Sequence, residues 1–190
     1  MGNRELLILT GMSGAGRSTV AHALEDLGWH VVDNLPPALL PELATEMEKT
    51  ESSVAVVVDV RGGKFFDALA SALAELGKAN IKYRLLFLDA SDQALVQRFE
   101  STRRPHPLQS SDRIVDGIER ERAKLEDLRA QADVVIDTTD YETPGLRRAL
   151  ADRFGRPGVQ ALTLTITSFG FARGLPRDAD LVFDMRFLAN

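Results

Sequence analysis

The chain has 190 residues, of which 44% are hydrophobic and 27% charged, with a net charge of −5 and no cysteine. This length favours one domain with a sizeable core. The lack of cysteine excludes a disulfide framework and a thiolate metal site, and the negative charge means that nucleic-acid binding would need a local basic patch. No apolar run has the roughly 18 residues of a membrane span, and no signal-peptide pattern is present, so we expect no membrane association and a cytoplasmic protein.

Short apolar runs alternate with helical patterns along the chain. Runs without regular polar alternation predict strands that are buried on both faces, at residues 5–10, 29–33, 54–60, 84–89 and 133–137. Apolar residues at helical spacing lie between them, at residues 19–27, 92–101 and 111–131, and Ser111 is the expected N-cap of the last helix. Residues 161–167 and 181–187 indicate further strands. The alternation predicts a three-layer α/β/α fold with a mostly parallel sheet.

The first predicted strand leads into GMSGAGRS, residues 11–18, which matches the phosphate-loop (P-loop) pattern G-x-x-x-x-G-K-[ST] except at Arg17. Glycines allow backbone N–H groups to converge on phosphate oxygens, and the N-terminus of the next helix adds partial positive charge. Ser18 offers a hydroxyl to Mg²⁺. We therefore predict that a nucleotide binds to Gly11, Met12, Ser13, Gly14, Ala15, Gly16, Arg17, Ser18 and Thr19.

Arg17 occupies the position of the lysine in the usual pattern. A lysine ammonium is a compact point charge, whereas a guanidinium is wider and planar and prefers two parallel contacts to a phosphate. The substitution keeps the positive charge but changes where it lies. We therefore expect nucleotide binding to survive better than phosphoryl transfer.

Aspartates stand at the carboxyl ends of four predicted strands, at Asp33, Asp59, Asp89 and Asp137. This is the edge of an open α/β sheet at which ligands bind. Asp59 is the best candidate to hold Mg²⁺ through a water molecule, because DVRGG places Arg61 and a flexible turn beside it. Asp33 and Asn34 are the candidates opposite the phosphates. For each aspartate the alternative is a cap on the following turn.

The segment RFESTRRPHPL contains Arg98, Arg103, Arg104 and His106 between two predicted helices. We interpret it as a mobile lid that faces the phosphates, in which Arg103 or Arg104 closes over the γ-phosphate. A solvated arginine turn is the first alternative. An RNA contact is the second, although too few aromatic residues lie nearby for a stacking surface.

Taken together, these motifs resemble the RapZ/YvcJ-type nucleotide-binding proteins, the RNase adapter family, over nearly the whole chain. The resemblance lies in several segments, in this order: GMSGAGRS, VDNLPP, VVVDVRG, TRRPHPL and SFGFARGLPRDADLVFDMRFLAN. It implies an N-terminal P-loop domain, similar to nucleoside-monophosphate kinases, that binds ATP and GTP. ATP would contact the loop, and GTP would contact a second segment formed by Asp59, Val60, Arg61 and Gly62.

The resemblance also bears on domains and partners. We expect residues 1–190 to form a single P-loop domain and the family's C-terminal domain to be absent, so that the chain is the N-terminal part of a longer protein. Homo-oligomerisation, and an RNA or protein partner of the full-length protein, are implied in the same way.

Three functions remain open at this point. The favoured one is a regulatory nucleotide-binding domain that hydrolyses ATP or GTP weakly with Mg²⁺, using Arg17, Asp59, Arg103 and Arg104 as catalytic residues and Ser18 and Asp59 for the metal. The second is a P-loop kinase for a small molecule, which Arg17 and the lack of a clear general base disfavour. The third is an RNA- or protein-binding adapter with a vestigial nucleotide site, and for RNA the net charge of −5 disfavours it.

Overall fold

The computed structural model describes residues 5–47, 52–59, 63–103, 105–109, 112–155, 168–170 and 181–184, and of residues 63–66 it describes the backbone only. Met1–Val159 form one compact unit, and Gln160–Asn190 form a second, smaller one. The helices and strands of the described residues all belong to the first unit.

A five-stranded parallel sheet forms the middle layer of the first unit, with the order β2-β3-β1-β4-β5. The strands are β1 Leu6–Gly11, β2 His30–Val32, β3 Val54–Val57, β4 Tyr83–Asp89 and β5 Val134–Asp137. They confirm the five predicted strands, although β2 and β3 are shorter than predicted. β1 is central, and Ile8 aligns with Val56 of β3 on one side and with Leu85 of β4 on the other.

Six α-helices surround the sheet in the described residues: α1 Arg17–Asp26, α2 Leu40–Met47, α3 Gly63–Lys78, α4 Asp92–Thr102, α5 Ile114–Ala130 and α6 Thr143–Phe154. A 3₁₀ turn, Pro37–Leu39, precedes α2. Helix α1 packs against α6, while α4 packs against α5 and α3 contacts both α2 and α5. Helices α1, α4 and α5 confirm the three predicted helices, and α2, α3 and α6 were not predicted.

Two local predictions are wrong. Helix α5 begins at Ile114, and its N-cap is Arg113. The carboxylate of Asp116, three residues after the N-cap, accepts the Arg113 N–H at 3.0 Å. Since this carboxylate satisfies the free N–H at the helix start, Ser111 is not the cap; Ser111 itself lies outside the described residues. Leu181 to Asp184 form no strand, and residues 161–167 and 185–187 lie outside the described residues.

The core follows from the strand sequences. Leu7, Ile8 and Leu9 of β1 are fully buried, as expected for a central strand that helices cover on both faces. At one side of the unit the indole N–H of Trp29 donates to the carbonyl of Phe154 at 3.1 Å, and the two rings meet edge to face. Among the described helices, none combines the length and apolar character that crossing a membrane requires.

The strand order indicates which edge of the sheet is expected to bind a ligand. From β1 the chain goes to β2 on one side, and from β3 it crosses β1 to reach β4 on the other side. The order therefore reverses between β1 and β3. In open parallel sheets the crevice at the carboxyl ends of two such strands is where ligands bind.

Candidate functional site

The predicted loop connects the end of β1 to the start of α1. A Cβ atom added to Gly11 would lie 2.2 Å from the carbonyl oxygen of Leu88, which already accepts the Met12 N–H at 2.9 Å. Gly11 is therefore needed because the backbones of β1 and β4 approach so closely. Gly16 is the N-cap of α1 at φ 95°, where a Cβ would meet no atom within 4 Å, so only its backbone conformation requires glycine.

Two loop carbonyls are held by side chains from outside the loop. Nη1 of Arg98 in α4 donates to the carbonyl of Gly14 at 3.1 Å, and Oγ1 of Thr138 donates to the carbonyl of Ala15 at 3.0 Å. Arg98 is fixed in turn because its Nη2 donates to the Thr138 carbonyl at 2.6 Å. These contacts hold the two loop carbonyls against α4 and Thr138. The N–H groups in the first turn of α1 have no hydrogen-bond partner within the helix.

Arg17 and Asp59 lie together at the edge where the strand order reverses. Nη1 of Arg17 is 3.5 Å from Oδ1 of Asp59 and donates to the Val58 carbonyl at 3.3 Å. Their side chains are 13% and 21% exposed, so the pair is partly shielded from water. The Val58 N–H donates to the Leu9 carbonyl at 2.9 Å, which holds the end of β3 against β1. The structure thus brings two of the predicted site residues into contact.

Of the two predicted metal residues, one belongs to this pair and the other follows it in the chain. Ser18 is exposed and follows Arg17 in the first turn of α1, and Asp59 contacts Arg17 directly. Within the described residues there is no group of three His, Asp or Glu that would hold a metal ion by itself. A hydroxyl and one carboxylate still fit Mg²⁺ at a nucleotide, because Mg²⁺ there takes its other ligands from phosphates and water.

The other predicted strand-end aspartates have different contacts. Asp89 is buried and binds Arg122 at 2.8 Å and Arg129 at 2.7 Å. Burial raises the pKa of Asp89, but the hydrogen bonds from the two arginines outweigh burial and hold this pKa below its usual value. Asp137 accepts the N–H of Thr139 at 2.8 Å and so caps its own turn. Asp33 is exposed in the turn after β2, next to Asn34 at φ 57°.

The predicted arginine lid is wrong for two of its four residues. Arg98 lies within α4 and binds the loop, and His106 is buried, so neither belongs to an exposed lid. Arg103 is exposed and ends α4 in the left-handed conformation, with φ 53°. Arg104 lies outside the described residues, as do three residues of the predicted GTP segment, Val60, Arg61 and Gly62.

Besides Thr138, the sequence reasoning missed Glu121 as a residue that contacts the loop. One of its oxygens accepts the Ser13 N–H at 2.9 Å, and the other accepts the Ser13 hydroxyl at 2.7 Å. A signal was present, because Glu121 stands in the buried stripe of α5 between Ile118 and Leu125. A carboxylate at an apolar position of an amphipathic helix indicates a buried polar partner.

Comparisons with known proteins agree with this fold. Residues 4–157 match the family of the RapZ-like N-terminal domain, and residues 162–190 match the RapZ C-terminal domain. A nucleotide-binding protein of Streptomyces avermitilis is 56% identical over 98% of this chain and 63% of its own length. A nucleotide-binding protein of Frankia alni is 56% identical over 98% of this chain and 65% of its own length. The chain thus spans less than two thirds of these relatives.

Solved structures with lower identity share the fold. The tunicamycin resistance protein of Deinococcus radiodurans superposes with a TM-score of 0.57 at 17% identity, covering 80% of this chain and 96% of its own. Shikimate kinase from Acinetobacter baumannii superposes with a TM-score of 0.52 at 16% identity, covering 80% and 97%. The predicted P-loop kinase-like fold is therefore confirmed, and the family matches establish that the chain belongs to the RapZ-like family.

Proposed function

We propose that the first unit binds ATP and GTP with Mg²⁺ at residues 11–19 and hydrolyses them slowly. One observation carries the proposal: the pair of Arg17 and Asp59 stands beside a glycine turn and a helix N-terminus, at the edge where the strand order reverses. This arrangement offers a cation and backbone N–H groups to phosphates and a carboxylate to a metal. The name nucleotide-binding protein, which relatives at 56% identity bear, supports it.

Each residue has a proposed part. The loop N–H groups and Arg17 would hold the β- and γ-phosphates. Ser18 would ligate Mg²⁺, and Asp59 would accept a hydrogen bond from a water molecule on the metal. Arg103 or Arg104 would neutralise the γ-phosphate, and Val60 to Gly62 would contact GTP; for these residues the proposal rests on the motifs alone.

Slow turnover is expected because the acidic and basic side chains near the loop are already bound to other residues. Glu121 and His106 bind each other beneath the loop, and Asp89 is held by two arginines. These groups are therefore poor candidates to remove a proton from an attacking water molecule. Hydrolysis would then depend on positioning and on neutralising charge, without general-base catalysis.

Calorimetry with ATP, GTP, ADP and GDP, each with Mg²⁺, tests the proposal on the wild type and on two glycine variants. Gly16→Val should abolish binding, because the new side chain enters the space beside the loop and strains a residue at φ 95°. Gly28→Val is the matched control, since Gly28 also has positive φ, 81°, but lies after the opposite end of α1. Its affinity should stay within about twofold of the wild type, less than 0.5 kcal/mol.

Calorimetry and an assay of phosphoryl transfer together distinguish the alternatives. If the wild type binds none of the four nucleotides, the adapter with a vestigial site is the better explanation. Phosphoryl transfer to a small acceptor faster than about 1 s⁻¹ would instead indicate a kinase. Self-association and an RNA or protein partner of the full-length protein are proposals that rest on family membership, and a cytoplasmic location is a proposal that rests on the sequence pattern alone. Gel filtration and pull-down of the full-length protein test the first and the last.

A further inference from the structure

A chain of buried polar groups lies beneath the phosphate loop. Nε2 of His106 is 3.1 Å from Oε2 of Glu121, and the side chains of the two residues are 0% and 3% exposed. The same Oε2 accepts the Ser13 N–H, and Oε1 accepts the Ser13 hydroxyl. Three residues that are distant in sequence are thus joined, with the loop at one end and the segment 105–109 at the other.

The hydrogen positions in this chain follow from its geometry. The Leu108 N–H lies 3.1 Å from Nδ1 of His106, and a backbone N–H can only donate. Nδ1 is therefore an acceptor, and Nε2 carries the hydrogen of the neutral ring and donates it to Glu121. Glu121 accepts three hydrogen bonds in a buried place. Losing one would leave a buried donor without a partner, which costs more than losing an exposed bond.

The segment 105–109 is docked on α5 through the same histidine. Within the segment the His106 carbonyl accepts the Gln109 N–H at 2.9 Å, and the Leu108 carbonyl accepts from Nη2 of Arg120 in α5 at 2.7 Å. The histidine ring fits because residue 117 of α5 is glycine: a Cβ there would lie 2.7 Å from Nδ1.

We propose that His106 and Glu121 are positioning residues that couple the segment 105–109 to the phosphate loop. Docking of the segment orients Glu121, and Glu121 then fixes the backbone of Ser13. His106 reaches the loop through its hydrogen bond to Glu121, and its ring also meets Phe99 of α4 edge to face, with the ring centroids 4.9 Å apart. The expected effect on nucleotide affinity depends on the proposed function, whereas the expected effect on the loop itself does not.

Amide hydrogen exchange on the full chain without nucleotide tests the coupling. His106→Asn keeps an acceptor near Nδ1 but has no donor that reaches Glu121, and exchange of the amides in residues 12–19 should rise about tenfold. His106→Gln retains a donor at the Nε2 distance, and exchange there should stay within about twofold of the wild type. Trp29→Phe is the control: it removes a buried hydrogen bond to Phe154 and should leave loop exchange unchanged.

A second variant tests the same coupling from the loop. Ser13→Ala removes one bond to Glu121 and should raise exchange at the amides of His106, Leu108 and Gln109, because coupling between two sites is reciprocal. It also keeps the test decisive if His106→Asn does not fold. Unchanged exchange at the far end in every folded variant would overturn the proposal. If the wild type binds no nucleotide, the proposed function fails, and the exchange data still decide whether the two elements are coupled.

Discussion

The Nη1 atom of Arg17 lies 3.5 Å from Oδ1 of Asp59, and the same atom donates to the carbonyl of Val58. The first residue of α1 is thereby joined to the end of β3 across the edge where we expect phosphates. The Nη1 of a guanidinium carries two N–H groups and can face the carbonyl and the carboxylate together. An ammonium group is a point charge and is freer to move towards a phosphate.

Arg17→Lys should therefore change turnover more than binding. We expect nucleotide affinity to stay within about threefold, since backbone N–H groups contribute much of the binding, and hydrolysis to rise about tenfold, or 1.4 kcal/mol in the barrier. Calorimetry and phosphate release under single-turnover conditions measure the two quantities.

Arg147→Lys is the matched control for this experiment. Arg147 also lies 3.5 Å from an aspartate, Asp26, but both side chains are more than half exposed. The control should leave affinity and hydrolysis unchanged, because exposed ion pairs contribute little. The role given to Arg17 is wrong if Arg17→Lys alters neither affinity nor turnover.

Asp59→Asn should weaken the Mg²⁺-dependent part of nucleotide binding. The amide keeps the size of the side chain but loses the charge that would face a metal-bound water molecule. We expect affinity with Mg²⁺ to fall about tenfold, or 1.4 kcal/mol, and affinity in excess EDTA to change far less. Calorimetry under both conditions gives the comparison. Asp33→Asn, at an exposed turn after β2, is the control, and an equal loss in both variants would remove Asp59 from the metal site.

The sheet was predictable because its strands are local signals. β1 and β3 are short apolar runs buried on both faces, β4 is apolar and buried over most of its length, and such runs mark strands of a parallel sheet. Helix α6 carried a readable signal that was missed, with Leu146, Leu150 and Phe154 buried four residues apart. The site residues were predictable only where they belong to one continuous motif, as in GMSGAGRS at residues 11–18.

Contacts between distant segments were not predictable in the same way. Ser13 and Glu121 are separated by 108 positions, and no local pattern states that a carboxylate on α5 will meet the loop. The same holds for Arg98, which the sequence groups with Arg103 but which the turn of α4 directs to the loop carbonyl of Gly14. These contacts depend on how helices pack on the sheet, which is decided after the local elements form.

Asp89 should make stability depend on acidic pH. Its folded pKa lies below the usual value because Arg122 and Arg129 outweigh the effect of burial. The folded protein therefore releases this proton at a lower pH than the unfolded chain does. The contribution is fully present above the unfolded pKa and is lost as the pH falls through the folded pKa. Asp89→Asn should lower the free energy of unfolding by about 2 kcal/mol at pH 7.

Urea unfolding between pH 7 and pH 3 measures this effect. The difference between wild type and Asp89→Asn should shrink as the pH falls below the usual carboxyl pKa. Asp137→Asn is the control, because an amide oxygen can also accept the Thr139 N–H that the carboxylate accepts. If the difference in the free energy of unfolding were as large at pH 3 as at pH 7, the ion pairs of Asp89 with the two arginines would not be its source.

Gly11 and Gly16 should respond differently to the same substitution, although both belong to the glycine motif. Gly11→Ala places a Cβ 2.2 Å from the backbone oxygen of Leu88, so β1 and β4 must separate, and we expect a loss of about 3–4 kcal/mol. Gly16→Ala meets no atom within 4 Å and should cost only the strain of positive φ, about 1–2 kcal/mol. Urea unfolding without nucleotide compares the two. If the two variants lost the same free energy of unfolding, β4 would be able to move away from β1 without cost. The close approach of Leu88 would then not be what requires glycine at residue 11.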